Sequence, residues 1–258
     1  MIRVCLAALG AALTLHAGMA SAQLRALSEQ ELSSHHGQGF LVLNNSSYGG
    51  YDFTRIALGA DVTLNANFRN IRLGEYNYAP RNGSGVDLDI PALQFGRSDG
   101  TEAQRLVQIT NPYFEFVYRN AGNAATREVV GMRFGFESIA GDIGLTLNTL
   151  SGSMLVDGGA AGTLDSRTDP GGGKRWDGSC TAPCLNFAQM GGVRAGDTNG
   201  ASRDFWISAL KSAVQFQPPA GMAQAPDLAQ AGVWLNWRDR LTALTTTGTP
   251  PPNLPPVR

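Results

Sequence analysis

Three histidines, a pair of aspartates two residues apart and a pair of cysteines four residues apart hold most of the chemistry this sequence offers. His16 lies in the apolar N-terminal run, and His35 and His36 follow shortly after it. A chain processed beyond Gly39 would retain none of them, which excludes a His-assisted Ser or Cys nucleophile and an imidazole metal site. Were that segment kept, the adjacent His35 and His36 could bind a metal weakly, although such pairs more often face solvent. No Gly-x-Ser-x-Gly elbow, phosphate loop or dinucleotide fingerprint occurs. The sequence therefore assigns no catalytic residue, metal or cofactor.

Carboxylates remain. Asp87 and Asp89 fall on one face of an expected strand, where they could act as an acid/base pair or hold a hard cation. Val86, Leu88 and Ile90 occupy the other face, so the simpler expectation is a solvated outer surface. Asp157, Asp165, Asp169, Asp197 and Asn199 sit among glycines, but their spacing matches no established calcium loop and suits tight turns as well. Cys180 and Cys184 are expected to close a small disulfide loop, since Cys-x3-Cys is not the redox spacing and no second pair completes a zinc site. Trp176, Trp206, Trp234 and Trp237 could form a ligand platform, with core packing the commoner role.

The N-terminus carries two processing signals in tandem. Arg3, the apolar run from Val4 to Ala17 and Ala20-Ser21-Ala22 read as a secretory signal peptide ending at Ala22. Behind it, Leu27-Ser28-x-x-Glu31-Leu32 followed by Gly37 resembles the double-glycine leaders recognised by C39-type peptidases. His35 and Gln38 depart from that pattern, and the segment ends at Gly39. The same residues also read as a capped helix from about Glu29 to His35, because Ser28 and Glu31 are spaced for a capping box. The body is similar to uncharacterised exported proteins of Gram-negative bacteria associated with C39-like peptidases and pilus or surface-fibre systems. Asn111-Pro112-Tyr113, Arg133-Phe134-Gly135-Phe136-Glu137 and Asp204-Phe205-Trp206 carry that likeness, which implies an assembly role.

Bulk properties narrow the partners. The 258 residues carry a net charge of -1, only 16% are charged, and 32 are glycine. Without a basic run, nucleic acid and anionic lipid are poor candidates. Beyond the signal, no apolar run approaches the length of a membrane-spanning helix.

The elements that must position these groups read as strands. From Ile56 to Phe68, apolar side chains alternate with polar or small ones over 13 residues, which predicts one long strand, bent at Gly59. An 11-residue spacing links Met132 to Gly141 with Ile143 to Gly152, and Leu64 to Gly74 and Val86 to Gly96 share its apolar positions. Stacked units of this kind would form a solenoid. Pro112 to Tyr118 is expected as an aromatic strand, with Phe114, Phe116 and Tyr118 on one side. Phe205 to Phe216 fits strand or helix, and Val233 to Trp237 a last strand.

The expected fold is mainly β: long amphipathic strands in a sheet, solenoid-like or sandwich-like, with a Gly-rich, disulfide-tied loop region. The expected organisation is a signal peptide at 1–22, a leader-like helical segment at 23–39 and a β-rich core at 40–156. A Gly-rich loop or insertion at 157–203, C-terminal strands of the same domain at 204–244 and a Pro-rich, extended or disordered tail at 245–258 follow. Together these features point to an exported, non-enzymatic structural or assembly component in the periplasm or at the cell surface. Its expected partners are other exported or outer-membrane proteins, further copies of itself and a C39-like peptidase. A protein binding a lipid or glycan is the alternative, and an outer-membrane barrel ranks below it.

Overall fold

The computed structural model describes residues 40–203 and 205–254. The expected signal peptide and leader, with Ala22, Leu27, Glu31, Leu32, Gly37 and Gly39, lie outside the described residues, as do residues 204 and 255–258.

Alternation dominates the first half of the described chain. It contains β1 (Leu41–Tyr48), β2 (Tyr51–Leu58), β3 (Asp61–Leu64), β4 (Ala66–Leu73), β5 (Tyr76–Tyr78), β6 (Gly83–Gly85) and β7 (Leu88–Phe95). Two long strands follow, β8 (Val107–Arg119) and β9 (Glu128–Thr146), and then the short β10 (Thr149–Leu150). The remainder supplies β11 (Gly152–Asp157), β12 (Thr163–Asp165), β13 (Gly192–Ala195), β14 (Trp206–Leu210), β15 (Gly232–Trp237) and β16 (Leu241–Ala243). All but β5 and β6 belong to one 14-stranded sheet. Within it, β9, β13, β16, β11, β15 and β14 pair in sequence and β14 returns to β9, closing a six-stranded barrel. The β16–β11 and β11–β15 pairs are parallel and the others antiparallel. Closure removes free edges from these six strands.

Side-chain parity sorts the core into two compartments. Ile207 of β14 and Val233, Leu235 and Trp237 of β15 join the larger cluster, with Ile143, Leu145, Met154, Val156, Val193 and Leu241 from the other barrel strands. Trp206, Leu210 and Trp234, one residue out of phase, join a smaller cluster with Phe53, Val117, Val214 and Phe216. A period of two therefore gives one pair of strands two dry faces. All four tryptophans are buried.

Several expectations meet a different arrangement. The long strand from Ile56 is broken twice, at Gly59-Ala60 and at Asn65. The first break is a kink against one partner, because β2 and β3 both pair with β8 and the Asn111 N–H bonds Ala60 O between them. At the second the chain changes partner, and β4 pairs with β7. The 11-residue units do not stack as successive rungs. The first and half of the second lie on the single strand β9, which exchanges neighbours near Gly141, and the segments sharing their spacing are the antiparallel pair β4 and β7. Their common period reflects partner exchange at glycine rather than a repeated layer.

The region assigned to loop or insertion contributes β13, a barrel strand, together with β12 and the Cys180–Cys184 disulfide. Phe205 to Phe216 is a strand only over β14, and β16 follows the strand expected to be last. The tail is extended and tied down as far as Leu254. Asn253 is buried, donates to Asn67 Oδ1 and Phe95 O, and accepts from Asn65 Nδ2.

Candidate functional site

Registers across β1, β2, β8, β9 and β14 set side chains in lateral rows. Asn44 opposes Arg55, Arg55 opposes Glu115, Glu115 opposes Arg133, and Arg133 opposes Ser208. One residue away on the same strands, and hence on the opposite face, Leu43, Ile56, Phe114, Phe134 and Ile207 form an apolar row. The sheet is thus charged in mid-strand on one face and apolar on the other.

Glu115 is the centre of the polar row. Arg55 Nε donates to its Oε1 at 2.8 Å and Arg133 Nε to its Oε2 at 2.5 Å. Glu115 and Arg133 are both 4% exposed at the side chain, against 35% for Arg55. Aromatic rings enclose the pair. The Arg133 guanidinium lies 4.1 Å from the Phe216 ring centre and 5.4 Å from that of Trp206, while Arg55 lies 4.1 Å over Tyr113. Such contacts offset part of the hydration a guanidinium loses on burial.

Above this floor opens a cleft of about 410 Å³. It is lined by Val42 and Asn44 of β1 and by Arg203, Phe205, Pro219 and Gln217, the last donating through Nε2 to Ser46 Oγ of β1 at 2.9 Å. Asn111 donates to Glu137 at the rim, while Phe205 turns its ring to the apolar face of the sheet, where it stacks on Phe136 with ring centres 5.0 Å apart. Gly135 is required here, because a Cβ at that position would stand 2.6 Å from Tyr113 Oη and 2.7 Å from Phe205 O. Asn111 and Tyr113, Arg133, Phe136 and Glu137, and Phe205 and Trp206, from three segments far apart in sequence, meet around this cleft.

The expected solvated face at Asp87 and Asp89 is corrected by the structure. Asp87 precedes β7 and is fully buried, whereas Asp89 is partly exposed and meets Arg72 at 3.7 Å. Around Asp87, Arg175 Nε and Ser151 Oγ donate to Oδ1 at 3.1 Å each, and the Val233 N–H donates to Oδ2 at 2.8 Å. Arg81 Nη2 stands 3.6 Å from the same oxygen and donates to Val233 O, while Arg81 Nε donates to Ala231 O. Arg81 Nη1 is buried without a hydrogen-bond partner among the described residues. Burial and then the Asp87 charge raise the pKa of the Tyr76 phenol, and burial lowers that of Arg81. The β5–β6 hairpin and the Arg175 segment cover a face that the local pattern assigns to water. These arginines lie 6 and 88 residues from Asp87, so local periodicity holds no trace of them.

The remaining candidates have local roles. Cys180 and Cys184 are disulfide-bonded, which fits a non-reducing environment. Asp157, Asp165, Asp169 and Asp197 each accept a nearby backbone N–H, as turn-forming aspartates do. Among the described residues no group of three or more His, Cys, Asp or Glu could hold a metal ion, and no helix is long and apolar enough to cross a membrane. Sequence reasoning missed Glu115, although a lone carboxylate inside an aromatic strand was its signal. No protein-family model matches the chain, and neither a curated protein nor a solved structure is detectably similar to it.

Proposed function

We propose that the protein is an exported, non-enzymatic assembly component of the periplasm or cell surface that joins other exported or outer-membrane proteins, including its own copies, through strand β1. The observation carrying this reading is the apolar row beside that strand. Leu43, Ile56 and Phe114 are 65%, 37% and 48% exposed, and Phe40 and Leu41 continue the patch at 64% and 63%. Among the described residues β1 pairs only with β2. A sheet edge flanked by a contiguous apolar surface is a template for strand addition. The leader-like segment directly precedes β1, which supports a C39-like peptidase as a processing partner.

Size-exclusion chromatography and electron microscopy of the exported protein test this. Multimers are expected, dissociated by Leu43→Lys, and a strictly monomeric species at high concentration overturns the proposal. A second reading, binding of a lipid or glycan, draws support from the cleft over Glu115. An outer-membrane barrel finds less, because the six-stranded ring packs apolar side chains into the larger core cluster and lipid-spanning barrels have a polar interior.

A further inference from the structure

We infer that the cleft over Glu115 binds the carboxylate of an acidic sugar, a uronic acid unit, with Arg133 and Arg55 as its anchors. This rests on the ligand-binding reading and gives it a chemical class.

The argument begins with donors. Glu115 engages each arginine through Nε alone, and the Nη groups of Arg133 and Arg55 make no hydrogen bond among the described residues. Arg133 is nevertheless almost wholly buried, and it lines the cleft. A guanidinium at that depth with open donors favours an acceptor that brings charge with it. Two guanidiniums sharing one carboxylate leave a net charge of +1 at the floor, and Arg203 and Glu137 in the walls add one charge of each sign, so an anion is favoured over a neutral polar group.

The shape of the donor set selects among anions. Guanidinium presents a planar fork that matches a carboxylate through two parallel hydrogen bonds. The walls select what carries the carboxylate. Val42 and Ala57, in phase with Asn44 and Arg55, and Pro219 offer an apolar side, while Asn44 offers an amide able to meet hydroxyl groups as donor or acceptor. A body with an apolar face, a hydroxylated rim and one carboxylate is a uronic acid. The volume of about 410 Å³ admits a unit of that size and falls in the range usual for small-ligand sites.

The test is isothermal titration calorimetry of the exported protein with D-glucuronate, D-glucose and glucose 6-phosphate in parallel. Glucuronate is expected to bind with a Kd on the order of 1 mM or tighter, and glucose not to bind. Pairing Arg133→Gln with Glu115→Gln avoids leaving a lone buried charge, and should weaken glucuronate binding about tenfold or more. If that double variant does not fold, Arg55→Gln, at a half-exposed position, carries the same expectation in weaker form. Unchanged affinity in a folded variant overturns the assignment of the anchors, and tighter binding of glucose 6-phosphate overturns the choice of carboxylate. Binding of glucose alone keeps a ligand site and overturns the acidic class. Absence of binding by all three at about 10 mM overturns both the class and the site.

Discussion

Asp87 and Glu115 are each a buried carboxylate set between two arginines, yet only one of them adjoins open space. Around Asp87 the arginines spend their donors on backbone carbonyls at Gly83, Tyr76, Ala231 and Val233, and the carboxylate also takes a hydroxyl and a backbone N–H. That cluster pins the β5–β6 hairpin to the start of β15. Around Glu115 the arginines sit on neighbouring strands, have Nη donors without a partner among the described residues, and line a cleft. Identical ingredients become a clamp where the backbone supplies the remaining acceptors, and a receptor where it does not. Neither burial of charge nor an unfilled donor marks a site by itself, since Arg81 Nη1 also lacks a partner among the described residues; the open space beside the donors does.

Mutation should separate the two clusters, and the largest effect belongs to the clamp. Asp87→Ala strands two guanidiniums that are 1% and 4% exposed, and about 3–5 kcal/mol of stability should be lost in urea unfolding. A loss below about 1 kcal/mol would show that water reaches the cluster and would break the comparison. Gly232→Ala is next, at about 3 kcal/mol, because φ is +93° and the added Cβ would collide with Tyr76 Oη and Asp87. Glu115→Gln should cost about 2 kcal/mol, less than Asp87→Ala, since its Arg55 partner already reaches solvent. An equal or greater loss would mean that the cleft floor is as closed as the clamp.

The smallest effect is a pH dependence confined to the clamp. Burial, reinforced by Asp87, raises the Tyr76 pKa, so the folded state favours the neutral phenol. Its contribution is complete below the unfolded value of about 10 and is lost as pH rises through the folded value. Unfolding free energy should therefore fall more steeply above about pH 10 in the wild type than in Tyr76→Phe. Parallel alkaline profiles for the two proteins would remove Tyr76 from the cluster.

Much of the sheet was legible from alternation. The strands along Ile56 to Phe68, Pro112 to Tyr118 and Val233 to Trp237 are real, because side chains two apart must share a face. Their ends were not legible, since the breaks at Ala60 and Asn65 depend on what β8 and β7 offer as partners. The aromatic strand shows the same division. Phe114, Phe116 and Tyr118 do share a side, but the more buried side holds Tyr113, Glu115 and Val117. Which face is dry was decided by the segment carrying Val214 and Phe216, which packs over it from about 100 residues away. The cleft was only half visible: its segments stood out one by one, and nothing local said that they converge.

By itself the sequence determined that the chain is mainly β and that Cys180 can reach Cys184, because both are short-range consequences of side-chain spacing and chain reach. Only the tertiary structure decided that the strands close into a six-membered ring. It alone sealed Asp87 in and left Glu115 beneath an opening. Closure and burial depend on contacts between residues far apart in the chain, and a local pattern carries no record of the partner that will cover it.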